Sequence, residues 1–191
     1  MHGRRWMIGL LLIMAVVCST ALSLVNYKTA PIIARNNEVA YMSTVLDVFG
    51  IPYDADNPEA TIETFNRRIG ERSENGLTIF VEEESGASAV SLEGSGFQGP
   101  MSVVVALDGD EITGFKVVNQ VETPGLGARI TEDEFQDSFI GKRVRNGITM
   151  VKGGAGASEF DAITGATETS RALEKMLNRG FEAYFGATGS R

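Results

Sequence analysis

Two short segments combine hydroxyl, carboxyl and small residues at a spacing that could do chemistry. The first is D-A-I-T-G-A-T-E-T-S, residues 161–170, at the start of the last helical pattern in the chain. Its small residues leave room for a ligand, and the free N–H groups and partial positive charge of a helix N-terminus favour a phosphate. Helix capping by Thr164 or Thr167 also explains these hydroxyls. The segment is not a P-loop, because no Gly-Lys-Ser/Thr follows.

The second segment is E-T-P-G-L-G, residues 122–127, directly after a predicted strand. Pro124 fixes its own φ, whereas Gly125 and Gly127 permit positive φ and the close approach of a ligand. The same composition also suits an ordinary turn between a strand and a helix. The residues alone leave both interpretations open.

Few other residues could carry catalysis. The chain has 191 residues, a net charge of −8, one cysteine and one histidine. These counts exclude an internal disulfide, a Cys/His zinc site and an iron–sulfur cluster held by this chain alone. The acidic balance, without a basic cluster, argues against nucleic-acid binding. Any redox chemistry would therefore belong to a bound group, and we expect no catalytic side chain and no metal ligand.

The N-terminal segment predicts a membrane anchor. Residues 6–25 are 20 consecutive uncharged residues, about the length of one bilayer core in a helix. Arg4 and Arg5 precede them, so residues 1–5 are predicted to be a cytoplasmic tail and the remainder to be exported. A cleaved signal peptide is the alternative, although no clear Ala-x-Ala site follows. Cys18 lacks the small residue expected before a lipidated cysteine and is interpreted as lipid-facing.

The exported part is predicted to be α+β. Helices are predicted at 31–49, with Pro31 in the first turn, at 62–69 and at 167–185. Strands are predicted at 77–81, 101–107, 111–119 and 148–151, with Asp-Gly-Asp as a hairpin turn between the middle two. Residues 85–99 are rich in Gly and Ser and are expected to form turns. Residues 26–94 would form a helical part and connecting segment, and residues 95–191 the domain core.

The segment D-A-I-T-G-A-T-E-T-S-R resembles the flavinylation motif Asp-x-x-Ser/Thr-Gly-Ala-Thr/Ser of the FMN-binding domain family. E-T-P-G-L-G is similar to a second segment of this family. The order G-F-Q-G-P-M, β-hairpin, E-T-P-G-L-G, F-I-G-K and Thr-Gly-Ala-Thr also matches. The family includes the G subunit of Rnf-type ion-translocating oxidoreductases and the C subunit of sodium-pumping NADH:quinone reductases. The resemblance is dense over residues 96–185 and looser over residues 6–49.

This resemblance implies a cofactor and its site. FMN would be attached covalently, through its phosphate, to Thr167, which makes the chain a flavoprotein and a phosphoprotein. A separate flavin transferase would install the FMN from FAD with Mg²⁺, recognising Asp161, Thr164, Gly165 and Ala166. The other side of the flavin would be lined by Glu122, Thr123, Pro124, Gly125, Leu126 and Gly127. The fold implied is one transmembrane helix followed by a single FMN-binding domain with an antiparallel sheet and packed helices.

The function implied is electron transfer within an Rnf-type ion-translocating complex. The chain would cross the bacterial or archaeal inner (plasma) membrane once, with its C-terminal domain on the periplasmic or extracellular side. Its partners would be the other membrane proteins of the complex, the flavin transferase and membrane lipid. The alternatives are a stand-alone anchored flavoprotein, the C subunit of a sodium-pumping NADH:quinone reductase, and an anchored binding module without flavin. The predicted anchor contains no acidic or basic residue, so ion movement is expected in the partner proteins.

Overall fold

The structure is a computed structural model that describes the backbone of residues 2–188. Met1, in the predicted cytoplasmic tail, and residues 189–191, at the end of the predicted domain core, lie outside the described residues. The chain divides into two compact units, Met1–Ala40 and Tyr41–Arg191.

The first unit is helical throughout its described part. It belongs to α1 (His2–Val48), which is long and apolar enough to cross a membrane, with a mean hydropathy of 2.5 in its most apolar part. The sequence predicts two helices here, but the structure contains one, with Pro31 inside it. Proline removes one N–H donor from the helix interior. The neighbouring residues continue the helix on both sides of this position.

The second unit is built on an antiparallel meander of five strands. It opens with the end of α1 and with α2 (Pro58–Arg68), whose first turn is capped by the Asn57 side chain accepting from the Ala60 amide at 3.2 Å. The strands then follow in chain order, each paired with the next. They are β1 (Ile69–Glu74), β2 (Leu77–Glu82), β3 (Ser88–Ser95), β4 (Pro100–Asp108) and β5 (Glu111–Asn119).

The remainder of the unit crosses one face of this sheet. A 3₁₀ helix (Gly127–Thr131) and the short α3 (Asp133–Asp137) follow β5. A small parallel pair, β6 (Thr149–Val151) and β7 (Glu159–Asp161), then leads into α4 (Thr167–Thr188). The predicted α+β class, with an antiparallel sheet and packed helices, is confirmed.

The sheet buries apolar residues on both faces. Along β4, Val103 and Val105 face the side covered by α4, whereas Val104 and Ala106 face the end of α1 and α2. The buried face of α4 consists of Leu173, Leu177 and Phe181. The alternation has the two-residue period of a strand that is buried on both sides. This packing fixes α4, and with it the segment that precedes α4.

Candidate functional site

The loop after β5 carries residues 122–127. The carbonyl of Thr123 accepts from the amides of Leu126 at 3.1 Å and Ala128 at 3.2 Å, so the loop folds back on itself. Gly125 has a φ of +73°, in the left-handed region that favours glycine. The tip of the loop, residues 123–126, is exposed, whereas residues 122 and 127 at its two ends are buried. The tip of the loop is therefore open to solvent, and its two ends are held inside the protein.

The Glu122 carboxylate anchors the buried end of this loop. One oxygen, Oε1, accepts from the amides of Phe97 and Gln98 at 2.7 and 3.0 Å. The other oxygen, Oε2, accepts from the Thr169 hydroxyl at 2.7 Å. Glu122 is only 6% exposed, and three donors replace the water that burial removes. This single side chain joins three segments that are distant in sequence.

Gly127 tightens the same junction. A Cβ at this position would lie 2.5 Å from Thr169 Oγ1 and 2.7 Å from Glu122 Oε2. Contacts this short would displace one of these atoms, so only glycine allows the loop to close on α4. The structure therefore gives Gly127 a packing role in the site.

The segment before α4 is a tight turn that ends in an uncapped helix. Gly165 has a φ of +83°, and the Ala166 amide donates to the Ile163 carbonyl at 2.9 Å. The Ala166 carbonyl accepts the first helical bond, from the Ser170 amide at 3.0 Å. Ala166 therefore occupies the N-cap position but has no side-chain oxygen, so it cannot satisfy the amides of the first turn. The alternative interpretation, capping of this helix by Thr164 or Thr167, is therefore wrong.

Ser170 holds this turn from inside the protein. Its hydroxyl accepts from the Ile163 amide at 3.0 Å and donates to the Ala166 carbonyl at 3.1 Å. The residue is fully buried. The turn is thereby locked without the use of the hydroxyls of Thr164 and Thr167.

The two segments enclose a cleft of about 330 Å³, which we call the main cleft. Thr167 lies at its edge, half-buried, as the first residue of α4. Among the described residues that line the main cleft, none is lysine or arginine. The lining consists of Phe97, Gln98, Glu122, Thr123, Leu126, Gly127, Gly165, Ala166, Thr167, Glu168 and Thr169.

The main cleft combines a helix N-terminus, which favours an anion, with a hydroxyl group that can act as a nucleophile. The first-turn amides and the helix dipole favour a phosphate group at the N-terminus of α4. The Thr167 hydroxyl is in the same first turn, beside a glycine and an alanine that leave it accessible. Phe97 and Leu126, which are 59% and 45% exposed, provide apolar surface at the rim.

Comparison with known proteins places the chain in a family. The sequence model of the FMN-binding domain matches residues 96–182. The G subunit of the Na⁺-translocating ferredoxin:NAD⁺ oxidoreductase complex of Acetobacterium woodii is 32% identical, over 93% of this chain and 90% of that one. The chain belongs to the G subunit family of ion-translocating oxidoreductases. Another member of the G subunit family, from Cereibacter sphaeroides, is 30% identical, over 92% of this chain and 82% of its own length.

A solved structure shares the fold. The C subunit of the Na⁺-translocating NADH-quinone reductase from Parabacteroides distasonis superposes with a TM-score of 0.67, covering 80% of this chain and 93% of that one, at 24% identity. The sequence matches, together with the long apolar helix, support a membrane electron-transfer flavoprotein with an FMN-binding domain.

The structure divides the predicted site residues of this G subunit family member among three places. The main cleft is lined by seven of them, namely Glu122, Thr123, Leu126, Gly127, Gly165, Ala166 and Thr167. Asp161 and Thr164 instead line a second hollow of about 260 Å³, which we call the side cleft, with Arg129 among its other residues. Pro124 and Gly125 lie at the exposed tip of the loop.

Four residues of the main cleft were not among the predicted site residues. Phe97 and Gln98 reach it through the turn between β3 and β4, whereas Glu168 and Thr169 reach it from the first turn of α4. The segment G-F-Q-G-P-M, noted in the sequence for its resemblance to the family, contains the first two. The role of Thr169 in the site cannot be predicted from the neighbouring sequence, because it depends on a hydrogen bond to Glu122, which lies 47 residues away.

Proposed function

We propose that this chain carries one FMN covalently on Thr167 and passes electrons as a membrane-anchored subunit of an Rnf-type ion-translocating oxidoreductase complex. The observation that carries the proposal is the position of the Thr167 hydroxyl. The residue is half-buried in the first turn of α4, next to amides that Ala166 cannot cap and within a cleft that the Glu122 junction closes.

The charges around the main cleft favour a covalent link over reversible binding. A phosphate that is held reversibly normally gains much of its affinity from Arg or Lys partners. The described lining offers none and instead includes the carboxylates of Glu122 and Glu168. The helix N-terminus stabilises the phosphate charge, and a bond to Thr167 supplies the retention that cations do not.

Attachment is a phosphoryl transfer to the Thr167 hydroxyl. A flavin transferase brings FAD and Mg²⁺, the Oγ1–phosphorus bond forms, the pyrophosphate bond breaks, and AMP leaves as the hydroxyl loses its proton. The residues on the turn, Gly165 and Ala166, leave space for this approach. Asp161 and Thr164, in the side cleft, would contact the transferase.

The bound flavin supplies the redox chemistry, and the chain positions it. Glu122, Gly127 and Thr169 fix the walls of the main cleft relative to α4. Phe97 and Leu126 provide apolar surface at the rim of the cleft, where the flavin would lie.

The charges beside the membrane anchor support the proposed orientation. Arg4 and Arg5 stand at the start of the apolar stretch, and only Lys28 follows it closely. Positively charged residues favour the cytoplasmic side of a membrane helix. We therefore place the N-terminus in the cytoplasm and the flavin domain on the opposite side of the inner (plasma) membrane.

The first test is the intact mass of the full chain produced with an active flavin transferase. We expect the chain to gain the mass of one FMN less one water. The Thr167→Ala variant should gain nothing, and the Thr167→Ser variant, which keeps a hydroxyl, should be modified. Added mass on Thr167→Ala, or none on the native chain, would refute the covalent site. Copurification of the modified chain with integral-membrane proteins tests its place in a complex.

A further inference from the structure

A row of cations lies on α4, outside the main cleft. Arg171, Lys175 and Arg179 follow one another at four-residue spacing, so they share one exposed face of the helix. This row forms one wall of a groove of about 400 Å³, and the end of β3 with the following turn forms the other. We call this feature the basic groove.

The basic groove contains cations without a carboxylate partner. Elsewhere in the second unit, some cations, such as Arg72 and Lys116, pair with neighbouring carboxylates, whereas others, such as Lys152, form no ion pair within the described residues. Within the part of the chain that the structure describes, neither Lys175 nor Arg179 forms an ion pair, whereas Arg171 pairs with a glutamate one turn before it. Two uncompensated positive charges therefore stand together in a chain whose net charge is −8.

The groove opens onto the main cleft. Phe97 and Glu168 line both hollows, so they form the ridge between them. The Phe97 side chain is 59% exposed. An exposed aromatic ring beside unpaired cations has the composition of a protein–protein interface, in which an aromatic centre is surrounded by charges. Glu93 also lines the groove, on the wall opposite the cations.

We propose that the basic groove docks a protein partner with an acidic surface, which exchanges electrons with the cofactor of the main cleft. This inference rests on the proposed function. A partner seated against Lys175 and Arg179 would contact Phe97 and so reach the edge of the main cleft. In the exchange, one electron leaves the reduced centre and is gained by the oxidised one.

The physics of electron-transfer complexes favours such a partner. Docking between electron-transfer proteins depends on electrostatic complementarity more than on a large apolar surface. Opposite charges raise the association rate by roughly 10- to 1,000-fold at low ionic strength. In a chain that is acidic overall, a local positive site favours the approach of an acidic partner. The basic groove thus selects the face at which the partner arrives.

Carbodiimide cross-linking tests docking directly, because it joins a lysine amine to a carboxylate with loss of water. It is applied to the full, flavin-loaded chain in its native membranes. We expect Lys175 to be linked to an Asp or Glu of another protein. The exposed Lys152, on the loop between β6 and β7, serves as the internal control. Lys175→Arg keeps the charge but should abolish the link.

Two results of the cross-linking would overturn the proposal. The first is that Lys175 is linked only within its own chain, or to other proteins no more often than Lys152. The second is that Lys175→Arg leaves the pattern of links unchanged.

Kinetics provides a second readout. The variant Lys175→Gln/Arg179→Gln is compared with Arg67→Gln/Arg72→Gln, which loses the same charge on α2 and β1. NADH is added to the purified complex, and reduction of this chain's flavin is followed by absorbance. We expect the first variant to be about tenfold slower at low salt, with the difference shrinking as salt screens the charges. The second variant should match the native rate.

Equal slowing of both variants, or slowing of neither, would contradict docking at the groove. Intact mass keeps this result separate from the proposed function. Absence of FMN from the unaltered chain counts against the flavin site itself. If the Lys175→Gln/Arg179→Gln variant carries its full FMN but its flavin is reduced at an altered rate, the effect belongs to the groove and not to the flavin site.

Discussion

At the scale of single residues, the main cleft depends on a buried carboxylate, Glu122, which forms no ion pair with any described residue. Glu122 has three hydrogen-bond donors within 2.7–3.0 Å: two backbone amides and one hydroxyl. A buried carboxylate is stable only when such donors replace its hydration. The side chain therefore acts as a junction between the turn after β3, the loop after β5 and α4.

Substitution of Glu122 should weaken this junction in a graded way. Glu122→Ala leaves two amides and the Thr169 hydroxyl without their acceptor, so we expect it to lower the free energy of unfolding by about 2–3 kcal/mol. Glu122→Gln retains one acceptor oxygen, and the Thr169 hydroxyl can turn to accept from the new amide. We expect a loss of about 1 kcal/mol. Denaturant unfolding of the full chain in detergent measures both.

Thr169→Val is the matched control for one of the three bonds. Its effect should be close to that of Glu122→Gln, and the double variant should lose less than the sum of the two. Equal stability of Glu122→Ala and the native chain would contradict the role of Glu122 as a junction.

The division of the predicted motif between two clefts leads to a second prediction. Asp161 is exposed in the side cleft, away from the main cleft that Thr167 lines. Asp161→Asn should slow flavin attachment at least tenfold, a loss of about 1.4 kcal/mol in recognition. Once attached, the flavin should have an unchanged absorbance spectrum and reduction potential. Time courses of modification and redox titrations measure these separately.

Phe97→Ala is the complementary variant, because Phe97 lines the main cleft but not the side cleft. It should shift the flavin spectrum while attachment keeps its native rate. The reverse pattern in the two variants would show that the clefts have exchanged roles.

At the scale of elements, the first hairpin has an electrostatic junction of its own. Glu82, at the end of β2, lies opposite Ile69 of β1 and is bonded by Ser85 and Arg68. The Ser85 hydroxyl and the Arg68 guanidinium hold the pKa of Glu82 below its usual value of 4.5. This group connects the end of α2 to the edge of the sheet.

The lowered pKa predicts how stability depends on pH. Because Glu82 binds its proton less readily in the folded state, its contribution is fully present above the unfolded-state pKa of 4.5. It is lost as the pH falls through the lower folded-state pKa. Glu82→Gln should therefore flatten the dependence of unfolding free energy on pH below about 5. Glu63→Gln, at an exposed position of α2, should keep the native profile.

The elements also show why sequence patterns predict some strands and miss others. The strands at 101–107 and 111–119 are rich in β-branched residues around a hairpin turn, and the structure contains them as β4 and β5. Residues 85–99 were expected to form turns, and this was wrong for Ser88–Ser95, which form β3.

Close packing between β3 and α4 explains the missed strand. A Cβ at Gly94 would lie 2.7 Å from Met176 Cγ, and one at Gly180 would lie 2.5 Å from Leu92 Cδ2. The small residues that suggested turns in this stretch instead allow the helix to approach the strand. No local pattern can reveal this, because the helix that requires them lies about 80 residues further along the chain.

Local sequence patterns also predict only part of the candidate site. Thr167 and residues 122–127 could be chosen as candidates from their local spacing and resemblance. The contribution of Phe97 and Gln98 depends on bonds to a carboxylate that lies 25 and 24 residues away. The assignment of Asp161 to the side cleft depends on where β7 ends beside the 3₁₀ helix and α3. Such placement follows from tertiary packing, which local residue patterns do not encode.

At the scale of the whole molecule, the chain joins two units with different surroundings. The first has large apolar side chains exposed along α1, including Trp6, Leu11 and Ile13. The second buries both faces of its sheet with its own residues from Tyr41 onward. The second unit thus contains a complete core, which should fold and receive flavin without the anchor.

Deletion of residues 2–35 tests this separation. The native chain should stay in the membrane pellet after alkaline carbonate extraction, because α1 presents an apolar segment long enough to span a bilayer. The truncated chain should move to the soluble fraction and, when supplied with the transferase in the same compartment, gain FMN at the native rate. Membrane retention of the truncated chain would reveal a second attachment. Failure of a soluble, folded domain to gain FMN would show that the anchor takes part in maturation. Since Val45, Leu46 and Val48 belong to the core that remains, we expect neither result.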